Sequence, residues 1–310
     1  MNIQDVLKRV DNVKSESNYW FVRTDYGKYF DDFVKNKYIA IGWDYITLYD
    51  LKNSGKEFIK EKIAKVDKID ASTFGGRVKI STTYNKILTF ISLKKDDIII
   101  IPNKNSDKLA FGRIVDDNPF EENTAKEFVK RRHVEWYETK NMLDLNPIFY
   151  KVKSNQHAIS NIAHYAPHID RVIGILFTKE DKTHYVLNIE KTSDINFEDL
   201  QVFMSNIKLL IREINIAFAF NENLDELYVK ISLQSKGSLE LIKNGGKCLV
   251  ILAFMFSLMS CKNTELSLEP EIQKFMDENS ETLSKTTELI DSLKINIQKL
   301  TEPFVYNDGC

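Results

Sequence analysis

Aromatic and basic side chains are interleaved along the first half of the chain, and these residue types could bind a ligand. Aromatic faces stack on nucleobases, and guanidinium groups form paired hydrogen bonds with phosphate or with a guanine edge. The set is Trp20, Arg23, Tyr26, Trp43, Arg113, Arg131, Arg132 and Trp136. We predict that a nucleic acid or nucleotide is contacted by Arg23, Tyr26, Trp43, Arg113, Arg131 and Arg132. The alternative is that the tryptophans are anchors of a hydrophobic core.

The histidines do not have the spacing of a metal site. His157, His164 and His168 lie close together in sequence, but Pro167 interrupts the helix that would align the last two. No cysteine or carboxylate stands where it would complete a zinc set. We therefore expect no metal and no cofactor.

The sequence also lacks the motifs of hydrolytic enzymes, because the residue types are present without the required spacing. Restriction-type nucleases hold magnesium with an Asp and a later Glu-x-Lys, whereas Glu190 and Lys191 are adjacent and would point to opposite faces of a strand. The glycine pairs at 75–76 and 245–246 do not form a phosphate-binding loop motif. We predict that the protein is not an enzyme; an enzyme with residues dispersed in sequence is a third alternative.

Short strands and small helices would position these side chains. Four consecutive isoleucines predict a strand buried on both faces, and Pro102 ends it because proline has no amide donor. The pattern predicts an α+β fold whose first half is a partly closed barrel. Its predicted strands are Tyr19–Arg23, Ile39–Trp43, Ile98–Ile101, Leu109–Val115 and Arg131–Tyr137.

Several segments of this half carry a family resemblance. They are Tyr19–Arg23, Gly27–Tyr29, Asp31–Phe33, Ile39–Trp43, Asp50–Leu51, Leu93–Pro102, Phe111–Ile114 and Arg131–Trp136. In order and spacing they resemble the N-terminal module often found ahead of Mrr-type restriction nucleases, over about residues 15–165. That module is similar to the PUA and EVE superfamily of pseudo-barrels. The resemblance implies binding of nucleic acids, and of flipped and often modified bases in an aromatic pocket.

The chain departs from that pattern where the nuclease would follow. Other members of the module family are fused to different effectors in bacterial anti-phage defence. The resemblance therefore implies a sensing module joined to a second part that causes damage.

Charge and periodicity divide the chain. Residues 1–153 carry 28 Lys and Arg against 23 Asp and Glu, whereas the rest carry 15 against 22, which favours an anionic partner for the first half. In the second half, Asn196 predicts the start of a long amphipathic helix. We expect a PUA/EVE-like module over 1–165, an α+β connector over 166–243, an apolar helix over 244–262 and a coiled-coil helix over 263–310.

The apolar run Cys248–Cys261 must be hidden from water, inside either protein or lipid. A transmembrane helix needs roughly 20 apolar residues. A helix from Asn244 to Lys262 has 19 residues and spans about 28 Å. That length just suffices if Lys247 and Lys262 extend to the interfaces. The alternative is a core helix, in which the bracketing cysteines are small, reduced hydrophobes.

The last segment predicts self-association. Apolar residues alternate at spacings of four and three, with Asn279 and Thr286 as polar interruptions that can fix the register of a coiled coil. The alternative is one amphipathic helix packed on its own domain. The seam consists of Ile272, Met276, Asn279, Leu283, Thr286, Ile290, Leu293, Ile297 and Leu300.

Two functional hypotheses follow. The first is a non-enzymatic, oligomeric anti-phage effector that binds a nucleic acid or nucleotide through its barrel. It would gate or disrupt a membrane with its C-terminal helices, at the cytoplasmic face of the inner membrane, since residues 1–16 have no apolar signal core. The second is a soluble, cytoplasmic subunit that reads modified DNA and partners a separate nuclease, an enzyme encoded in the same operon.

Overall fold

Two units make up the chain, and they are not consecutive in sequence. The computed structural model describes residues 3–8, 11–13, 17–174, 176–232, 237–260 and 268–296. Unit 2 is Glu16–Ile173, and unit 1 combines Met1–Ser15 with Gly174–Cys310. The α+β class is confirmed. The division differs from the four predicted segments, because residues 1–15 and everything after residue 173 belong to one unit.

Unit 2 is built on a curled, half-barrel sheet. Its strand order is β3-β7-β5-β4-β2-β8, and the short β6 pairs with β7. The strands are β2 (Tyr19–Val22), β3 (Tyr38–Ile41), β4 (Ile98–Pro102), β5 (Lys108–Ile114), β6 (Phe120–Glu121), β7 (Lys130–Asn141) and β8 (Ile159–Asn161). The pairing of β5 with β7 shifts register between Phe111 and Gly112, where Tyr137 is an extra residue that forms a bulge in β7.

The central strand β4 is buried on both faces, as the isoleucine run predicts. Ile99 and Ile101 join one hydrophobic cluster, and Ile98 and Ile100 join the cluster on the opposite face. The helices of the unit are α2 (Phe30–Lys35), α3 (Leu48–Asn53), α4 (Lys56–Val66), α5 (Phe74–Ile91), α6 (Phe149–Lys153) and α7 (Ala166–Ile173). α4 and α5 share a small apolar core of their own through Ile59, Ile63, Ile80 and Ile87.

Unit 1 is a sheet covered by helices on one face. The strand order is β1-β9-β10-β12-β11, and β1 is parallel to β9. The strands are β1 (Asp11–Val13), β9 (Leu176–Lys179), β10 (Lys182–Ile189), β11 (Leu227–Ser232) and β12 (Gly237–Asn244). The helices are α1 (Ile3–Leu7), α8 (Phe197–Ala217), α9 (Lys247–Ser260), α10 (Pro270–Glu278) and α11 (Ser280–Leu293). Asn196 caps α8 as predicted, since its side chain accepts from the amides of Glu198 and Asp199.

The apolar run is a core helix of unit 1. Every side chain from Cys248 to Phe256 is 4% exposed or less, and the surrounding cluster consists of residues of the same unit. This burial agrees with the alternative that the run is a core helix. The helix is also shorter than the predicted 244–262, because β12 runs to Asn244 and a turn through Gly245 and Gly246, at φ 72° and 64°, precedes α9. Among the described residues, no helix combines the length and apolarity needed to cross a membrane.

The predicted coiled-coil seam is buried in the same core. The chain forms two helices that meet at Asn279 in place of one continuous helix. α11 packs on α8, and the exposure of Ile272, Leu283, Thr286 and Leu293 is 2% or less. The seam residues Ile272, Leu283, Thr286, Ile290 and Leu293 are thus already covered within one chain. Self-association through Ile272–Leu300 stays a prediction. Ile297, Leu300, Cys261 and Cys310 lie outside the described residues.

Candidate functional site

A cavity of about 330 Å³ in unit 2 brings together three of the six predicted ligand contacts, Arg23, Tyr26 and Trp43. Its volume lies at the lower end of the range of small-molecule sites, roughly 300–1,000 Å³. It opens where β2 and β3 end. The lining comprises Arg23, Asp25, Tyr26, Ala40, Ile41, Gly42, Trp43, Phe128, Gln156 and Ala158.

All three aromatic side chains of this cavity stand on left-handed backbone. Tyr26, Trp43 and Phe128 have φ of 54°, 58° and 56°. In the part of the chain that the structure describes, no other aromatic residue has a positive φ. This conformation is a genuine outlier for a bulky residue, and it costs on the order of 1–3 kcal/mol. Such strain concentrates at binding sites, where the surrounding structure enforces it.

The residues next to the cavity hold Trp43 and Phe128 in this conformation. The carbonyl oxygen of Trp43 accepts hydrogen bonds from the amide of Ile46 and from Nζ of Lys130, both at 2.9 Å. The carboxylate of Asp44 accepts from the amide of Phe128 at 2.8 Å and from that of Val129 at 3.0 Å. The side chain of Lys130 thus fixes the backbone of Trp43, and the side chain of Asp44 fixes the backbone of Phe128.

Trp43 differs from the other two tryptophans in its indole N–H. Nε1 of Trp20 donates to Asp97, and Nε1 of Trp136 donates to the carbonyl of Phe33. These two are core anchors, as the alternative interpretation expects. Nε1 of Trp43 donates to no described residue. Trp43 is half-buried, and its indole N–H is therefore a donor available to water or to a ligand.

Arg23 lines the cavity, but most of its donors are already used. Nε donates to the carbonyl of Asn155 at 2.7 Å, and Nη2 donates to the carbonyls of Lys153 and Asn155. Burial lowers the pKa of the guanidinium. Arg23 therefore ties the loop over residues 153–155 to β2. It contributes positive charge to the cavity, but few of its hydrogen-bond donors are free for a ligand.

The other three predicted contacts do not line the cavity. Arg132 is fully buried and donates to the carbonyls of Ile91 and Asp116, so the structure gives no support to its predicted contact with a ligand. Arg113 pairs with Glu135, with 2.7 Å between Nη2 and Oε2.

Arg131 acts on the cavity indirectly. Its guanidinium carbon lies 4.0 Å from the centroid of the Tyr38 ring, and its Nε donates to the carbonyl of Phe128 at 3.1 Å. Arg131 therefore supports one wall of the cavity from behind.

Sequence reasoning missed Phe128, Asp25 and Gln156. Phe128 lies in an acidic loop whose composition suggests exposure, and no periodicity marks it. The only available signal for Asp25 was its place in the Asp25-Tyr26-Gly27 turn, since Asp and Gly both tolerate left-handed backbone. Gln156 is placed by the loop that Arg23 anchors.

Among the described residues, no group of three or more His, Cys, Asp or Glu could hold a metal ion. No curated protein and no solved structure matches the chain. Residues 20–163 match a family described as a domain of unknown function, DUF8426. The similarity to this family lies in unit 2, the part of the chain that holds the cavity.

Proposed function

We propose that unit 2 is a nucleobase-binding module and that a base of a nucleic acid or nucleotide enters the cavity between Tyr26, Trp43 and Phe128. The observation that carries the proposal is the left-handed backbone of all three aromatic residues around one cavity. Strain of this kind persists only where the surrounding structure enforces it, and it clusters at ligand-binding sites. The three rings offer the flat apolar surfaces on which bases stack, worth about 1–3 kcal/mol per base.

Polar groups at the cavity would read the edge of the base. Asp25 supplies a carboxylate acceptor, Gln156 an amide with both donors and acceptors, and Trp43 a free indole N–H. A flipped base presents amino, carbonyl and ring nitrogen groups that match such a set. This agrees with the PUA/EVE-like architecture, which we propose for the curled sheet of unit 2.

For the whole chain, we propose a DNA-reading subunit that works with a separately encoded enzyme, the second of the two hypotheses. The burial of α9 inside unit 1 supports this choice, because a membrane effector needs apolar surface that can leave its own fold. Membrane gating in anti-phage defence stays a prediction.

The proposal is tested by ligand binding to the full chain. Single-stranded oligonucleotides that carry unmodified or methylated bases are titrated, and tryptophan fluorescence and calorimetry are recorded. We expect saturable binding that Trp43→Ala weakens at least tenfold, while Trp43→Phe retains most of it because a ring remains. Tyr49→Ala is the matched control, since Tyr49 is 74% exposed and lies outside the cavity. Equal affinity of wild type and Trp43→Ala, or no binding of any oligonucleotide, would overturn the proposal.

A further inference from the structure

A second cavity of about 460 Å³ adjoins the aromatic one. The two cavities are neighbours, because they share the lining residues Arg23, Tyr26 and Gln156. Tyr26 is 94% exposed. The further lining of this second cavity, here called the groove, includes Gly27, Lys104, Asn105, Ser106, Tyr150 and Lys153.

The groove is basic, and none of the described residues that line it is acidic. Lys104 is exposed and Lys153 is half-buried. Neither forms an ion pair with a carboxylate in the part of the chain that the structure describes. Nζ of Lys153 lies 4.7 Å from the centroid of the Tyr150 ring, which holds the ammonium group at the groove wall. The two ammonium groups therefore have their charge available for an anion.

Two strained turns form the floor of the groove. Asp25, Tyr26 and Gly27 have φ of 50°, 54° and 86°, and Asn105 and Ser106 have φ of 67° and 53°. The turns pack so closely that a Cβ on Gly27 would clash with the backbone of Lys104.

The turns also leave backbone donors at the groove. Among the described residues, the amides of Tyr26, Gly27 and Lys104 donate no hydrogen bond. Successive free amides in such turns make concavities that bind anions.

We infer that the groove binds the phosphate group attached to the nucleoside whose base occupies the aromatic cavity. The ligand of unit 2 is accordingly a phosphorylated nucleotide, either free or within a strand, and not a free base or nucleoside. This inference rests on the proposed function. Lys104, Lys153 and the free amides contact the phosphate, and Tyr26 lies between base and phosphate.

The experiment compares charged and neutral ligands on the full chain. The probes are the common deoxynucleosides, their 5′- and 3′-monophosphates, and trinucleotides of the same sequence with phosphodiester or uncharged methylphosphonate linkages. We expect the charged probes to bind at least tenfold more tightly than the neutral ones. For the trinucleotide, log K should fall with log salt by roughly 0.7 for each lysine–phosphate contact.

The double variant Lys104→Gln/Lys153→Gln should abolish the preference for charged probes and flatten the salt dependence by about 1.4. Its affinity for the neutral trinucleotide should stay unchanged. Lys108→Gln/Lys151→Gln is the matched control, because both lysines are exposed near the groove and outside its lining. Tighter binding of a monophosphate than of the trinucleotide would identify a free nucleotide as the source, and the reverse would identify a strand.

The outcomes separate the two proposals. Equal affinity for charged and neutral probes, or a preference that survives in the lysine double variant, overturns the phosphate inference and leaves base binding intact. Absence of binding to every probe overturns both. An effect of Trp43→Ala on the neutral trinucleotide supports base binding independently of the groove.

Discussion

Nζ of Lys130 donates a hydrogen bond of 2.9 Å to the carbonyl oxygen of Trp43. Lys130 is fully buried at the start of β7, 3.6 Å from a carboxylate oxygen of Asp44, and its burial lowers the pKa of the ammonium group. A buried lysine is costly unless it is paired, so its place behind the strained tryptophan needs a reason. We interpret Lys130 as a positioning residue for the cavity wall.

Replacing Lys130 with methionine should loosen that wall. Trp43 would lose one donor to its carbonyl and Asp44 would lose its cation, which should lower the free energy of unfolding by about 1–3 kcal/mol. Oligonucleotide affinity should fall even at temperatures where the variant is fully folded. Lys126→Met, at an exposed lysine four residues earlier, is the control for both measurements. Unchanged affinity in a folded Lys130→Met protein would contradict the positioning role.

Tyr26→Gly should separate stability from binding. Glycine relieves the left-handed strain, although it adds entropy to the unfolded chain, and the exposed ring contributes little packing. The free energy of unfolding should therefore stay the same or rise by up to about 1 kcal/mol. Oligonucleotide affinity should fall, because a wall shared by cavity and groove is lost. Denaturant titration and calorimetry on one preparation measure both; a marked loss of stability would show that Tyr26 serves the fold.

Gly27→Ala should damage the groove floor. The added Cβ meets the backbone of Lys104 and the residue is held at φ 86°, so a loss of more than about 1 kcal/mol in unfolding free energy is expected. Gly42→Ala is the control, since a Cβ added there would meet nothing within 4 Å and the φ of Gly42 is not positive. Gly42→Ala should be neutral or slightly stabilising. Equal effects of the two substitutions in urea titrations would contradict the close packing of the turns.

Tyr185→Phe should not destabilise unit 1. The hydroxyl of Tyr185 is buried and has no hydrogen-bond partner among the described residues, so its removal should be neutral or stabilising by up to about 2 kcal/mol. Tyr19→Phe gives the contrast, because the Tyr19 hydroxyl donates to buried Asp170 at 2.5 Å and its loss should cost about 1–3 kcal/mol.

The buried Tyr185 also predicts a pH dependence. Burial raises the pKa of Tyr185 well above its ordinary value. The folded state thus keeps this proton when the unfolded chain releases it, above about pH 10. Stability from this group is complete below about pH 10 and is lost as the pH rises further. Tyr185→Phe should reduce the alkaline slope of the unfolding free energy, and an unchanged slope would count against the burial.

Substitutions in the C-terminal helices test whether they form a core. Phe254→Ala should lower the unfolding free energy by about 3–5 kcal/mol and Leu283→Ala by about 2–5 kcal/mol, because both side chains are at most 2% exposed. Phe197→Ala, at a side chain 74% exposed, should change it by less than about 0.5 kcal/mol. Light scattering should show the same molar mass for Leu283→Ala and wild type. Dissociation of an oligomer by Leu283→Ala would instead restore the coiled-coil prediction.

Local patterns predicted those elements whose cause is local. The isoleucine run of β4 and the cap at Asn196 act within a few residues, and both appear where expected. α5 was not predicted: it begins around Gly75 and Gly76, which disfavour a helix, and Thr73 caps it. Val172 and Ile173 belong to α7, whereas Leu176, Phe177 and Thr178 belong to β9, because apolar periodicity over so short a run does not separate helix from strand.

Features set by distant contacts could not be predicted in this way. The apolar run has the same composition in a core and in lipid, and its burial depends on α8, α1 and β10, which lie elsewhere in the sequence. Likewise Trp43, Tyr26 and Phe128 have no shared pattern, and only folding brings them around one cavity. Arginine composition suggested Arg132 as a ligand contact, but its place in the sheet faces it inward.

Unit 2 is inserted into the sequence of unit 1 between β1 and β9, which are neighbours in one sheet. Asp11 lies opposite Phe177 and Val13 opposite Lys179. The chain thus leaves the sheet of unit 1 at one end of a three-residue parallel ladder and re-enters it at the other end, roughly 10 Å away. Parallel neighbours always require a crossover, and here the crossover is an entire folded unit. Insertion of a folded unit is tolerated where the two chain ends lie close together, as they do between β1 and β9.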